Sequence, residues 1–147
     1  MKTKSLFTAL LLCFVSITQM QAQTKYKVYS GFVNHFTKYV QWPADSKSGD
    51  FIIAVVGNSP ISAELMALNG KMVGAQKIVI KTFPNAGAVS SSHIIFVAEG
   101  GDISAVSKKA KEYNALVVSE VPGGTTKGSD VNFVEEAGKI RFELSFC

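Results

Sequence analysis

Three predominantly apolar runs constrain this chain more than any other feature: Phe51 to Val56 (FIIAVV), His93 to Ala98 (HIIFVA) and Ala115 to Val121 (ALVVSEV). A strand with one wet face alternates apolar and polar residues. A run without alternation suits a strand covered on both faces, as in a parallel sheet with helices on either side. Two of the runs lead into helix starts. Gly57-Asn58 is followed by Ser59, a hydroxyl at the cap, and Pro60 in the first turn. Ile61, Leu65 and Leu68 then recur at helical spacing until Asn69-Gly70. Glu99-Gly100-Gly101 leads to Asp102, a capping carboxylate. Beyond it Ile103, Val106, Ala110 and Tyr113 face one way and Lys108, Lys109, Lys111 and Glu112 the other.

The remaining segments fit the same architecture. Over 25–41, Tyr29, Phe32, Val33, Phe36 and Val40 line one helix face, widened by Val28, His35, Tyr39 and Trp42. Lys27, Ser30, Asn34, Lys38 and Gln41 fall opposite, and Pro43 stops the helix. Gln76 to Phe83 alternates like a strand. Val131 to Glu135 and Lys139 to Phe146 read as a hairpin around Glu136-Ala137-Gly138. No repeat or linker interrupts the pattern. The expected fold is α/β: a single domain with a mixed, mostly parallel central sheet, helices on its faces and a C-terminal β-hairpin.

Residues 1–22 have the marks of a secretory signal peptide. Lys2 and Lys4 precede an apolar stretch, Leu6 to Ile17, and Ala22 is the expected last residue before cleavage. The stretch has about a dozen residues, short of the roughly 20 a membrane-spanning helix needs. The expected product is a domain over 23–147, exported and not inserted in the membrane. Losing Lys2 and Lys4 would halve the formal charge of +4. That is too thin a basic balance for nucleic-acid binding. With 47% hydrophobic and 18% charged residues, the chain is not disordered either. Of its two cysteines, Cys13 leaves with the signal, so Cys147 is expected to be a free end or an intermolecular bridge.

Catalytic constellations do not assemble from these residues. His35 and His93 lack a second ligand at metal spacing, and both read as structural. Gly123 to Ser129 (GGTTKGS) has Lys-Gly-Ser where a phosphate loop has Gly-Lys-Ser, and it precedes a strand. No enzyme, metal or cofactor is expected. Two surfaces remain. One is the crevice beyond the strand ends, formed by Gly57, Asn58, Ser59, Gly100, Gly101 and Asp102, where α/β sheets collect small ligands. The other is the end of the first helix, with Lys38, Gln41 and Trp42. Here Tyr39 reads as a core residue, and Trp42 stands where it can face either way.

Phe36-Thr37-Lys38-Tyr39-Val40-Gln41-Trp42-Pro43 followed by Phe51 to Gly57 resembles the opening of the YfiR/HmsC-like family. The likeness continues through Leu65, Leu68, Asn69-Gly70-Lys71 and Gly74, then Ser92 to Val97. It ends with Val131-Asn132-Phe133-Val134 and Gly138 to Leu144. The resemblance implies a periplasmic, non-enzymatic α/β domain. Such a domain binds the periplasmic part of a membrane-bound signalling protein and restrains it. The target is typically a diguanylate cyclase, which would place the chain in cyclic-di-GMP signalling; related domains are fused to histidine kinases. The resemblance also implies a tendency to form homodimers.

Two departures matter. Ser92 stands where a cysteine often precedes the His-Ile-Ile-Phe strand, so redox control is not implied. The family continues past the Arg-Phe-Glu strand into a C-terminal helix, whereas this sequence ends at Cys147, so the domain is expected to lack that helix. Ile140, Phe142, Leu144 and Phe146 would then leave apolar strand surface open. Self-association through that strand, with an intermolecular Cys147 disulfide, is the corresponding expectation. A small-ligand module using the strand-end crevice is the rival reading.

Overall fold

The computed structural model describes residues 23–146. A first helix, α1 (23–39), leads through a 3-10 turn at Ala44–Lys47 to β1 (Phe51–Val56). Then come α2 (Ile61–Leu65), β2 (Met72–Val73), β3 (Gln76–Phe83), β4 (Ile94–Val97) and α3 (Ile103–Tyr113). The chain closes with β5 (Leu116–Ser119), β6 (Val131–Glu136) and β7 (Lys139–Leu144). The seven strands form one sheet in the order β2-β3-β1-β4-β5-β6-β7. Pairings from β3 through β6 are parallel, and β2 and β7 join antiparallel at the two edges.

The expected α/β fold with its C-terminal hairpin is therefore present. Two cores flank the sheet. On one face α1 and α2 cover Phe51, Ile53, Val55, Ile78, Ile94, Phe96, Val118, Val131 and Phe133. On the other, α3 and the turn at Ala86–Ala88 cover Ala54, Val56, Ile95, Val97 and Val117. Alternate residues of β1 and β4 enter opposite cores, which is why these strands needed to be apolar throughout. Tyr29 anchors α1. It is 1% exposed and stacks on Phe133 with ring centroids 4.2 Å apart, while Tyr26 meets it edge-on at 5.8 Å.

Several boundaries differ from the sequence reading. The first helix ends two residues before Gln41, so Trp42 lies beyond it rather than on it. Its buried stripe is also rotated. Ser30, expected outside, is 8% exposed, and its hydroxyl donates to the Glu64 carbonyl at 3.4 Å. A small residue there lets α1 approach α2 closely. Tyr39, expected inside, is 77% exposed. The second helix has one α-helical turn and finishes as a 3-10 turn at Met66–Leu68.

The hairpin turn is tighter than expected. Glu136 pairs with Lys139, so only Ala137 and Gly138 form the loop, with φ of 50° and 72°. Positive φ at both positions is the two-residue type I′ turn, whose twist matches that of paired strands.

Between β5 and β6 the chain makes a 3-10 turn at Thr125–Lys127 rather than an α-helix, and a buried polar network holds this parallel pair. The Asn132 side-chain oxygen Oδ1 accepts from the Ser119 hydroxyl at 2.6 Å and from the Val121 N–H at 3.1 Å. The Ser129 hydroxyl donates to the Val131 carbonyl at 2.7 Å. Gly124 closes over this network. A Cβ there would stand 2.5 Å from Ser119 Oγ and 2.6 Å from Asn132 Oδ1. Gly124→Ala is expected to lower stability by about 1–3 kcal/mol, as overpacking does. Urea unfolding of the variant reads this out; a midpoint equal to wild type would contradict it.

Candidate functional site

The loop between α1 and β1 folds under the amino ends of three strands. Gln76 at the start of β3 donates through Nε2 to the carbonyl of Ser46 at 3.0 Å. His93, just before β4, accepts from the Ile52 N–H at its Nδ1 (3.0 Å), so its Nε2 donates to the Ser46 carbonyl at 2.7 Å. The His93 ring also stacks on Phe51 at 4.4 Å. Both nitrogens are thus used in holding the chain together.

Trp42 completes this corner. Its ring meets Phe51 edge-on at 5.2 Å and His93 at 5.9 Å, and its N–H donates to the Thr37 carbonyl at 3.3 Å. The ring is half-buried, while Lys38 and Gln41 are exposed. Tyr39 projects beside them, with the His35 ring stacked on it at 5.8 Å. The end of α1 therefore presents an exposed aromatic ring with polar neighbours on a base clamped by Trp42. Sequence periodicity missed Tyr39 because position 39 borders the stripe through 29, 33, 36 and 40.

The strand-end crevice is less open than its composition implied. The strand order reverses between β1 and β4, where such folds take ligands. There, however, the two loops pack on each other. A Cβ on Gly57 would stand 3.2 Å from the Ala98 Cβ, and one on Gly101 would stand 2.5 Å from Val97 Cγ1. Gly57, at φ 90°, is held by its N–H to the Phe83 carbonyl at 2.9 Å. These glycines serve close packing. Gly57, Asn58 and Ser59 line a shallow depression with Ser62, Thr82, Phe83 and Pro84; Gly100, Gly101 and Asp102 do not line it. The Asp102 carboxylate accepts from the Ala105 N–H at 3.0 Å, capping α3. The Ser59 hydroxyl accepts from the Ile61 N–H at 3.3 Å and donates to Glu120 at 3.1 Å.

Glu120, which the sequence reading passed over, is the most unusual ionisable group at this end. It follows β5, and its side chain is 4% exposed. Oε1 accepts from the Tyr26 hydroxyl at 3.3 Å as well as from Ser59. Oε2 is buried without a hydrogen bond, with Lys25 Nζ 3.6 Å away. Burial pushes the Glu120 carboxyl up from its ordinary value, against the opposing pull of Lys25 and the hydroxyls of Ser59 and Tyr26. Burial and the Glu120 charge likewise raise the Tyr26 hydroxyl. The group thus ties the start of α1 to the β1–α2 loop while resisting ionisation.

A pH signature follows. The folded protein holds the Glu120 proton to higher pH than the unfolded chain does. The advantage is complete below the unfolded carboxyl range, about pH 4.3, and is lost as pH rises through the folded value. Glu120→Gln is expected to raise the melting temperature at neutral pH relative to wild type, with the difference shrinking toward pH 4. Thermal unfolding at several pH values measures it; a variant less stable than wild type at neutral pH would contradict it.

The segments placed around these corners are those with the family-like motifs. A family model described as YfiR/HmsC-like matches residues 26–146, from within the first turn of α1 through the end of β7. No curated protein matches the chain. Members of that family are periplasmic regulators rather than catalysts, and among the described residues no helix is long and apolar enough to cross a membrane. With the match running through nearly every element of the fold, this chain belongs to the YfiR/HmsC-like family.

Proposed function

We propose that the chain is exported, loses residues 1–22, and binds the periplasmic part of a membrane-bound signalling protein, a diguanylate cyclase or a histidine kinase, holding its output down. The observation that carries this reading is the 77% exposed Tyr39 at the end of a helix whose other tyrosine and phenylalanine rings pack into the core. It lies within the Phe36 to Pro43 segment, one of those that resemble the family. Desolvating an aromatic ring is a common source of interface hot spots. Lys38, Gln41 and the outer edge of Trp42 form the surround. The role needs no turnover, cofactor or metal from this chain.

A photo-reactive residue at position 39 is expected to cross-link the chain, in intact cells, to an integral membrane protein with a cytoplasmic cyclase or kinase domain. The same probe placed at Lys108, on the outer face of α3, is expected to give no such product. Equal products from both positions would contradict the reading. N-terminal sequencing of the chain from the cell envelope is expected to begin near Gln23; a chain still starting at Met1 would contradict export with processing.

A further inference from the structure

The outer edge of the sheet carries a pairing code of its own, on a surface separate from the end of α1. β7 pairs only with β6 among the described residues, so its other side is an open edge. The Ser145 N–H donates to the Asp130 carbonyl at 2.9 Å, toward β6. Backbone groups alternate direction along a strand. Those of Lys139, Arg141, Glu143 and Ser145 therefore point at β6, and those of Ile140, Phe142 and Leu144 point outward. Side chains follow the other alternation. Phe142 and Leu144 are 47% and 45% exposed on the α1 face, where Phe32 touches Phe142 with ring centroids 5.6 Å apart. Lys139, Arg141 and Glu143 are exposed on the opposite face. Long, open, partly apolar edges of this kind template pairing with another strand.

We propose that this edge pairs antiparallel with the same edge of a second copy, about a two-fold axis at Phe142, in the register that sets Arg141 opposite the partner's Glu143. Charge selects that register from its neighbours. Moving the axis to Arg141 sets two guanidinium groups opposite each other; moving it to Glu143 does the same with two carboxylates. An axis at Ile140 opposes Lys139 and the partner's Arg141. An axis at Leu144 sets Glu143 opposite the partner's Ser145 and gives Arg141 no acidic partner, so only the axis at Phe142 both avoids like charges and pairs opposite ones. It makes the Arg141–Glu143 pair twice, because a two-fold interface repeats each contact.

The backbone agrees with this choice. Phe142 meets its own counterpart through outward N–H and C=O groups, a hydrogen-bonded pair. Arg141 and the partner's Glu143 then form the closer, non-hydrogen-bonded pair, with Cα atoms ~4.5 Å apart. On the α1 face, Ile140 meets the partner's Leu144 and Phe142 meets the partner's Phe142. Present contacts are compatible: Arg141 reaches Glu136 at 3.3 Å on the surface, and Glu143 accepts from Asn132 Nδ2 at 3.2 Å. A guanidinium has donors for two carboxylates. The interface uses residues 139–145 and needs no disulfide from Cys147.

Sedimentation of the processed chain carrying Cys147→Ser, in reductant, is expected to show a monomer–dimer equilibrium. Arg141→Glu sets like charges opposite at both sites and is expected to weaken the dimer about tenfold or more. Glu143→Arg should do the same, and the double exchange Arg141→Glu with Glu143→Arg should restore dimerisation. Thermal melts establish that each variant is folded. A wild-type chain that is monomeric at all concentrations would overturn the proposal. So would a dimer indifferent to Arg141→Glu, or a double exchange that fails to recover pairing while folded.

Discussion

Tyr29→Ala is expected to destabilise the chain by about 3–5 kcal/mol, the range for removing a large buried aromatic ring. Tyr29 is 1% exposed and lies between Tyr26 and Phe133, so the substitution removes a stacked contact and an edge-on contact together. It also removes the main tie between α1 and β6. Phe133 pairs across the hairpin with Phe142, and Phe32 touches both rings. The loss should therefore extend beyond one side chain. Tyr29→Ala and Phe133→Ala are expected to be non-additive in a double-mutant cycle, because each removes the other's partner. Urea denaturation measures all three variants. Additive losses, or a Tyr29→Ala cost below about 1 kcal/mol, would mean that α1 is not anchored as described.

Trp42→Ala and Tyr39→Ala are expected to fail in different ways. Trp42 is half-buried against Phe51 and His93, with its N–H bonded to Thr37. Its truncation should cost about 3 kcal/mol of stability, the low end for a tryptophan. It should also loosen the Pro43–Gly49 loop, since His93 and Gln76 both hold the Ser46 carbonyl there. Among the described residues Tyr39 has only the exposed His35 ring stacked on it, and Tyr39→Ala should change stability by less than about 0.5 kcal/mol. The same change is expected to weaken partner binding by about 2 kcal/mol or more if the ring is desolvated on docking. Thermal melts and the cross-linking yield from a nearby position, measured on both variants, separate these effects. A stable Trp42→Ala chain with lost binding would move the hot spot from Tyr39 to Trp42.

The parallel core was legible because both-face burial leaves a direct mark: Phe51 to Val56 could not be a half-wet strand. The hairpin was legible for the converse reason, since Ile140, Phe142 and Leu144 alternate with Lys139, Arg141 and Glu143. What escaped depends on contacts between distant segments. Glu120 meets Tyr26 across 94 positions and Ser59 across 61, so nothing adjacent in sequence announces its burial. The strand Met72–Val73 has two residues, too few for any period to show. Tyr39 was misjudged because a helix stripe wide enough to hold five aromatic or apolar residues leaves its border undefined. The crevice glycines were correctly located at turns; that their missing side chains make room for Ala98 and Val97 is visible only in three dimensions.

The central claim is restraint of a membrane signalling protein through the end of α1. Its most direct test is the output of the protein captured by the position-39 cross-link, assayed in membrane vesicles whose periplasmic side faces the added chain. Purified wild-type chain is expected to lower cyclic-dinucleotide synthesis or autophosphorylation, according to the domain captured, and Tyr39→Ala to leave it unchanged. Output that is unaffected by saturating wild-type chain, or lowered equally by Tyr39→Ala, would contradict the account.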